Sequence, residues 1–241
     1  MAKLLLIDGH SLAYRAFFAL PSDMATRTGT VTNAVFGFAS MLAKVLTDER
    51  PDYVGVAFDP PGGSVVRKEL DPGYKQGRRE TPELFLSQMP LIREVVATLG
   101  LRAIEVVGVE ADDVIATLAT AAAESAIDTV VVTGDRDSYQ LVSDPHIRVL
   151  YNKRGVSDYV LYDEAGIAER CLGVTPARYL DYASLRGDTS DNLPGVPGIG
   201  EKTAAKLITT YGDLEGIYDH LEELPKKQRE NLAEEIGRAH V

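Results

Sequence analysis

One cysteine, Cys171, stands alone in 241 residues, which excludes an internal disulfide and fits a reducing compartment. The four histidines are scattered, so no imidazole-rich metal site is expected. No apolar run approaches the roughly 20 residues that a membrane-spanning helix needs. The opening MAKLLLIDGHS carries only a short apolar run before Asp8, so neither a signal peptide nor a membrane partner is expected. There is no internal repeat and no low-complexity tract. Positive charge is also short: 25 Lys and Arg stand against 36 Asp and Glu, a net charge of −11. By its sum alone, that balance speaks against a polyanionic partner.

The distribution of charge says more than the sum. Many acids fall singly or in pairs just after apolar runs, whereas Arg67, Lys68, Lys75, Arg78 and Arg79 cluster. A carboxylate-lined pocket filled by divalent cations would be neutral in use. With 45% hydrophobic and 25% charged residues, the chain can bury a sizeable core as one large domain or two small ones.

The first two thirds alternates strands and helices. Strands are expected at 3–8, 53–58, 102–107 and 128–134, with a weaker one at 147–152, all short, apolar and β-branched. Helical stretches at about 32–47, 83–98 and 111–124 lie between them. This order predicts an α/β fold, a mostly parallel sheet flanked by helices. From about 175 onward strands are expected to give way to helices with glycine turns. We expect an α/β core over 1–174, including a polar segment at about 60–100, and a helical region over 175–234. The last seven residues, EIGRAHV (235–241), read as a non-native tail.

The acids have a common address. Asp8 ends the first strand and Asp59 the second; Asp135 and Asp137 follow the fourth; Glu110, Asp112 and Asp113 open the helix after the third. Ligands of open parallel sheets bind beyond the carboxyl ends of the strands. Asp188 and Asp191, expected one helical turn apart, would join them from the helical region. Nine carboxylates crowd together only if cations offset them. Oxygen ligands without clustered His or Cys select Mg²⁺ or Mn²⁺. Any single acid, Asp112 for instance, reads equally as a helix-capping or solvated residue.

Residues 187–208, GDTSDNLPGVPGIGEKTAAKLI, come close to a triphosphate-binding loop. Gly195 and Gly200 have the required separation, but Glu201 intervenes before Lys202 and Thr203, and no strand is expected to feed the turn. What remains is helix, glycine turn, helix. Gly198 and Gly200 would allow positive φ and close backbone approach. Lys202 and Lys206 beside a helix N-terminus would form an anion site, with nucleic-acid phosphate a ready occupant. The alternative is a plain turn between packed helices. Residues 60–82 are long, polar and rich in Pro and Gly, as functional or mobile connections are. Few packing contacts are expected to hold them.

Five ordered stretches, LLLIDGHSLAYRAFFALP, the strand ending AFD, GVEADDVIATLA, VVTGDRDSYQLV and LRGDTSDNLPGVPGIGEKTAAKL, together resemble the structure-specific 5′-nuclease (flap endonuclease) family. Within it, the likeness is to the 5′→3′ exonuclease domains of bacterial DNA polymerases. The resemblance implies a PIN-like 5′-nuclease core with a C-terminal helix–turn–helix clamp on duplex DNA. It implies two Mg²⁺ (or Mn²⁺) ions held by Asp8, Asp59, Glu110, Asp112, Asp113, Asp135, Asp137, Asp188 and Asp191. It makes Gly195, Gly198, Gly200, Lys202, Thr203 and Lys206 the clamp, with a K⁺ ion there. It assigns Lys75 and Arg78 to catalysis and Arg67 and Tyr74 to DNA binding, Tyr74 by stacking on a displaced base. Where the family carries Thr-Phe-Arg, this chain reads Val65-Val66-Arg67 and so lacks one aromatic ring for base stacking. The implied activity is removal of 5′ flaps or nucleotides from branched or nicked DNA in primer removal and repair. The implied partners are DNA and a DNA polymerase in cis or trans, in a bacterial cytoplasm at the nucleoid. A PIN-like ribonuclease and a non-catalytic DNA-binding module are the alternatives.

Overall fold

The computed structural model describes residues 2–78 and 80–234. The tail at 235–241 and Arg79 of the basic cluster lie outside the described residues. The chain divides into two compact units, one of residues 1–65 and 80–163, the other of 66–79 and 164–241. Among the described residues no helix is long and apolar enough to cross a membrane.

The first unit is built on a six-stranded sheet: β1 (Lys3–Asp8), β2 (Tyr53–Ala57), β3 (Arg102–Ile104), β4 (Asp128–Thr133), β5 (Ile147–Arg154) and β6 (Asp158–Tyr162). Their spatial order is β3-β2-β1-β4-β5-β6. All neighbours run parallel except β6, which returns antiparallel on β5. The interleaved helices of this unit are α1 (Gly9–Ala19), α2 (Asn33–Glu49), α4 (Glu83–Leu86), α5 (Met89–Thr98) and α6 (Ala111–Glu124); α3 (Val65–Leu70) belongs, but for Val65, to the second unit.

Strand β1 is apolar on both faces because both are covered. Leu5 and Ile7 enter one cluster with Leu12, Ala16, Phe38, Met41, Leu42 and Ile92, from α1, α2 and α5. Leu6 and Val131, pointing the other way, are left to α6, which packs on β1 and β4. Helix α6 buries Ala111, Val114, Ile115, Ala119 and Ala122, a single stripe at helical spacing.

Several expectations are corrected. The third strand stops at Ile104 because Gly108 (φ 79°) closes a turn, with Val109 N–H on the Val106 carbonyl at 3.1 Å. The stretch 83–98 is two helices. The break falls at Ser87 and Gln88, just ahead of Pro90, which has no amide to continue the helix ladder. The Gln88 side-chain oxygen accepts the Ala34 amide at 2.9 Å, capping α2, which has no side-chain cap of its own. Strand β6 and helix α1 are additions to the expected elements.

The second unit carries α7 (Glu164–Arg170), α8 (Tyr179–Arg186), α9 (Glu201–Tyr211), α10 (Leu214–Asp219) and α11 (Lys226–Glu234). Strands do not vanish there: β7 (Gly187–Asp188) pairs antiparallel with β8 (Leu193–Pro194). A two-residue strand therefore does precede the glycine turn. The division also differs from 1–174 and 175–234. Residues 66–79 belong with the C-terminal helices because Lys75 N–H donates to the Asp191 carbonyl at 2.8 Å and Asn192 Nδ2 to the Gly73 carbonyl at 2.9 Å.

Candidate active site

In the order β3-β2-β1-β4-β5 the chain leaves β1 in one direction and later resumes on its other side at β4. The carboxyl ends of β1 and β4 therefore flank the switch point, where open α/β sheets hold ligands. Asp8 and Asp135 come from those two ends. Asp8 is the N-cap of α1: one oxygen accepts the Ser11 amide at 2.9 Å and the other the Thr133 hydroxyl at 2.9 Å, from β4. Burial pushes the Asp8 carboxyl up to about 7; the hydrogen bonds from Ser11 and Thr133 oppose this, while the charges of Asp59 and Asp135 add to it. Asp135 donates its amide to Thr133 Oγ1 at 3.0 Å and accepts the Asp137 amide at 2.9 Å. Asp137 opens a short 3₁₀ helix, Asp137–Leu141.

Asp59 follows β2, and its Oδ1 accepts the amide of Ala111, the first residue of α6, at 2.8 Å. This bond ties the Asp59 loop to the helix that carries Asp112 and Asp113 in its first turn. Glu110, just ahead of it, is buried at 4% exposure. Asp112 Oδ1 accepts the Asp113 amide at 2.9 Å.

Asp59 and Asp135 thus stand close enough for their charges to disfavour ionisation of Asp8, and the donors are all hard oxygens, a set that suits a divalent cation. Yet among the described residues no three such side chains gather at ligating distance. The carboxylates of Asp8, Asp59 and Asp135 accept backbone and hydroxyl donors. Metal capture would exchange some of these hydrogen bonds for coordination.

In the second unit, Asp188 and Asp191 are not one helical turn apart. They sit in the hairpin between β7 and β8, where Asp188 Oδ1 accepts the amides of Ser190 at 2.7 Å and Asp191 at 3.3 Å, and the Ser190 hydroxyl at 2.6 Å. Burial opposes ionisation of Asp188, but these bonds and the Arg186 charge outweigh it and hold the carboxyl below its usual range. Asp191 forms an ion pair with Arg78, whose Nε also donates to the Ser190 carbonyl at 2.8 Å. Two residues assigned to different roles are thus partners.

The segment 66–79 is better held than expected. Tyr74 is only 8% exposed, with Lys75 Nζ 4.9 Å and Arg67 Cζ 5.8 Å from its ring centre. Stacking of Tyr74 on a displaced base is therefore corrected: its face is taken by cations. Lys75 holds a left-handed backbone (φ 57°). Val65 and Val66, in place of the aromatic, are more than half exposed.

The glycines of the turn divide their labour differently from expectation. A side chain on Gly195 would lie 2.3 Å from the Arg186 backbone, and one on Gly187 2.2 Å from Gly195 N, so this pair permits the close approach. Gly198 needs its positive φ of 79°. Gly200 is extended with open space around it, and neither reason applies. Helix α9 buries Ala204, Ala205, Leu207 and Ile208 and leaves Lys202 and Lys206 exposed, with Thr203 half-buried between.

Sequence reasoning missed the residues that hold the acids. Thr133 bridges β4 to Asp8, Ser11 Oγ accepts the Gly134 amide at 2.8 Å, and His10 Nδ1 accepts the Asp59 amide at 3.0 Å. Their signal was adjacency: each lies within three residues of a predicted acid.

Residues 3–172 match the family described as 5′-3′ exonuclease, N-terminal resolvase-like domain, and residues 174–241 the 5′-3′ exonuclease, C-terminal SAM fold. DNA polymerase I of Mycobacterium leprae (strain TN) is 48% identical over 230 residues, which cover 95% of this chain and 25% of that protein. DNA polymerase I of Bacillus caldotenax is 45% identical over 231 residues, 95% of this chain and 26% of that protein. The chain spans about a quarter of the length of these curated relatives. Among solved structures, the T5 D15 protein co-crystallised with metal ions is similar with a TM-score of 0.78 at 22% identity, over 98% of this chain and 86% of that one. The catalytic core of Rad2 in complex with a DNA substrate is similar with a TM-score of 0.59 at 19% identity, over 100% of this chain and 74% of that one. These two likenesses are of fold.

Proposed function

The chain belongs to the 5′-3′ exonuclease family, and from that premise we propose that it is a divalent-metal-dependent 5′→3′ exonuclease and 5′-flap endonuclease. Its substrate would be branched or nicked DNA, its reaction phosphodiester hydrolysis, and its role primer removal and repair. The observation that carries this reading is that Asp8 and Asp135 come from the carboxyl ends of β1 and β4 at the switch point, with the charges of Asp59 and Asp135 both reaching Asp8, whose carboxyl is raised to about 7. Raising a carboxyl that far costs stability unless a cation offsets it.

Asp8, Asp59, Glu110, Asp112, Asp113, Asp135 and Asp137 would hold Mg²⁺ or Mn²⁺. Two such ions would supply an activated water and charge stabilisation for the leaving oxygen. For Asp188 and Asp191 as ligands, the support is the family resemblance alone. Lys75 and Arg78 would stabilise charge developing on the scissile phosphate, Arg78 as a planar fork aimed by Asp191 and the Ser190 carbonyl. Lys202, Thr203 and Lys206 at the start of α9, with the turn at Gly195, Gly198 and Gly200, would grip duplex phosphate, and a K⁺ ion held there would add positive charge. A polymerase in cis would be the partner, as in the relatives named above, and the bacterial nucleoid the place of work.

Cleavage of a 5′-labelled flap DNA in Mg²⁺, with an EDTA control, tests the reading. We expect metal-dependent release of the flap and no cleavage of single-stranded RNA. RNA cleavage with intact flap DNA would instead support the PIN-like ribonuclease.

A further inference from the structure

Asp59 begins where the sheet stops supplying hydrogen-bond partners. The Phe58 amide makes the last bond on that edge, to the Ile104 carbonyl at 2.9 Å. The next amide, that of Asp59, donates to His10 Nδ1 at 3.0 Å. A backbone amide can only donate, so Nδ1 carries the lone pair and the ring proton sits on Nε2. Asp59 Oδ2 lies 3.7 Å from the same nitrogen, and two lone pairs form no hydrogen bond there, so His10 does not consume that oxygen. The carboxylate is meanwhile held through Oδ1 by the Ala111 amide at 2.8 Å. Asp59 is thus tied twice, its backbone to α1 and its side chain to α6.

The imidazole is itself well seated. It meets the Phe58 ring edge to face, with centroids 5.9 Å apart. Gly9 makes the approach possible, since a side chain there would lie 2.5 Å from the Phe58 ring. Arg93 covers Phe58 at 4.5 Å from its ring centre and is anchored by Glu105 at 2.5 Å. None of these groups is among the nine acids.

We propose that His10 is a positioning residue: as the acceptor of the Asp59 amide through Nδ1, it orients Asp59 as a metal ligand. The proposal rests on Asp59 being a metal ligand, as put forward above. Groups that orient a metal ligand are typically worth about 10- to 100-fold in metal affinity or activity.

Two variants separate hydrogen bonding from packing. His10→Ala removes the acceptor. His10→Asn returns an amide oxygen near the position of Nδ1 without the ring. We expect Mn²⁺ binding to the full chain, followed by calorimetry, to weaken about tenfold or more in His10→Ala and to recover most of that in His10→Asn. Amide hydrogen exchange at Asp59 should quicken in His10→Ala and slow again in His10→Asn. In metal-free wild type, nitrogen NMR should find Nδ1 unprotonated. An Nδ1–H tautomer, or His10→Asn as defective as His10→Ala in both readouts, would overturn the proposal. Asp59→Asn is the companion control. If it weakens Mn²⁺ binding while His10→Ala does not, the positioning role fails; if it leaves Mn²⁺ binding at the wild-type value, the metal assignment itself fails.

Discussion

Asp8 and Asp188 are both aspartates at the end of a strand, each taking hydrogen bonds from a residue two or three places on, yet their acidities move in opposite directions. Asp8 is raised to about 7 because it is buried at the carboxyl edge of a parallel sheet, with Asp59 and Asp135 nearby. Asp188 is also partly buried, but its turn supplies two amides and a hydroxyl, and Arg186 adds a cation, so it is lowered. The sheet gathers acids from strands far apart in sequence, and the charges of Asp59 and Asp135 add to the burial that raises Asp8. The hairpin satisfies Asp188 locally. An unbalanced cluster is a place for a cation; a satisfied one is a structural turn unless something displaces its bonds.

The contrast is most strongly tested by removing charge from the sheet side. Asp113→Asn or Asp135→Asn should lower flap cleavage by on the order of 10³-fold, because a neutral amide is a poor ligand for a hard cation. Duplex binding should hold or tighten as repulsion falls. Wild-type cleavage rates at limiting Mg²⁺ would remove these residues from the ligand set.

The hairpin side is next. Lys75→Ala should slow single-turnover cleavage by on the order of 10²-fold, with flap affinity falling far less. Equal losses in rate and affinity would make Lys75 a recruiter of DNA.

A third measurement reads the two acidities directly. For Asp8 the folded value lies above the unfolded value of 3.8, so the folded state keeps its proton longer. Metal-free protein should therefore lose stability as pH rises from about 4 to about 7 and level off above. Asp8→Asn should remove that slope and leave the protein about 2 kcal/mol more stable than wild type at pH 8 by denaturant unfolding, after allowing for partial solvent access. For Asp188 the folded value is depressed, so its contribution is present above the unfolded value and is lost as pH falls through the folded one. Asp188→Asn should lower stability at neutral pH and flatten the acid limb. Identical pH profiles for the two variants would erase the contrast.

The smallest effect belongs to α9. Removing Lys202 and Lys206 together should lower the slope of log K against log salt by about 0.9 for each phosphate that these lysines neutralise. An unchanged slope would mean that this face of α9 touches no phosphate.

Much of the sheet unit was legible because burial leaves a periodic trace. KLLLID and DTVVVT are apolar throughout since both faces are covered, and α2 and α6 repeat their apolar positions at helical spacing. The acids were legible for a related reason: the end of an apolar run marks the carboxyl end of a strand, where such sheets bind ligands. Local exceptions escaped. The Gln88 amide caps α2 from more than fifty residues away, a contact with no local signal, whereas the break in 83–98 is marked locally by Pro90. The seating of 66–79 on Asp191 and the burial of Tyr74 are likewise products of contacts distant in sequence.

The sequence by itself determined the order of the parallel strands, the acids that follow them and the apolar faces, because these depend on residue type at short, regular spacing. Only the tertiary structure decided which partner each acid takes. A carboxylate's acidity depends on the few ångströms around it, and those are filled by residues as remote as Thr133 from Asp8 or Arg78 from Asp191. Folding brings such groups together to bury apolar surface, and the electrostatics of the site follow from where that burial leaves them.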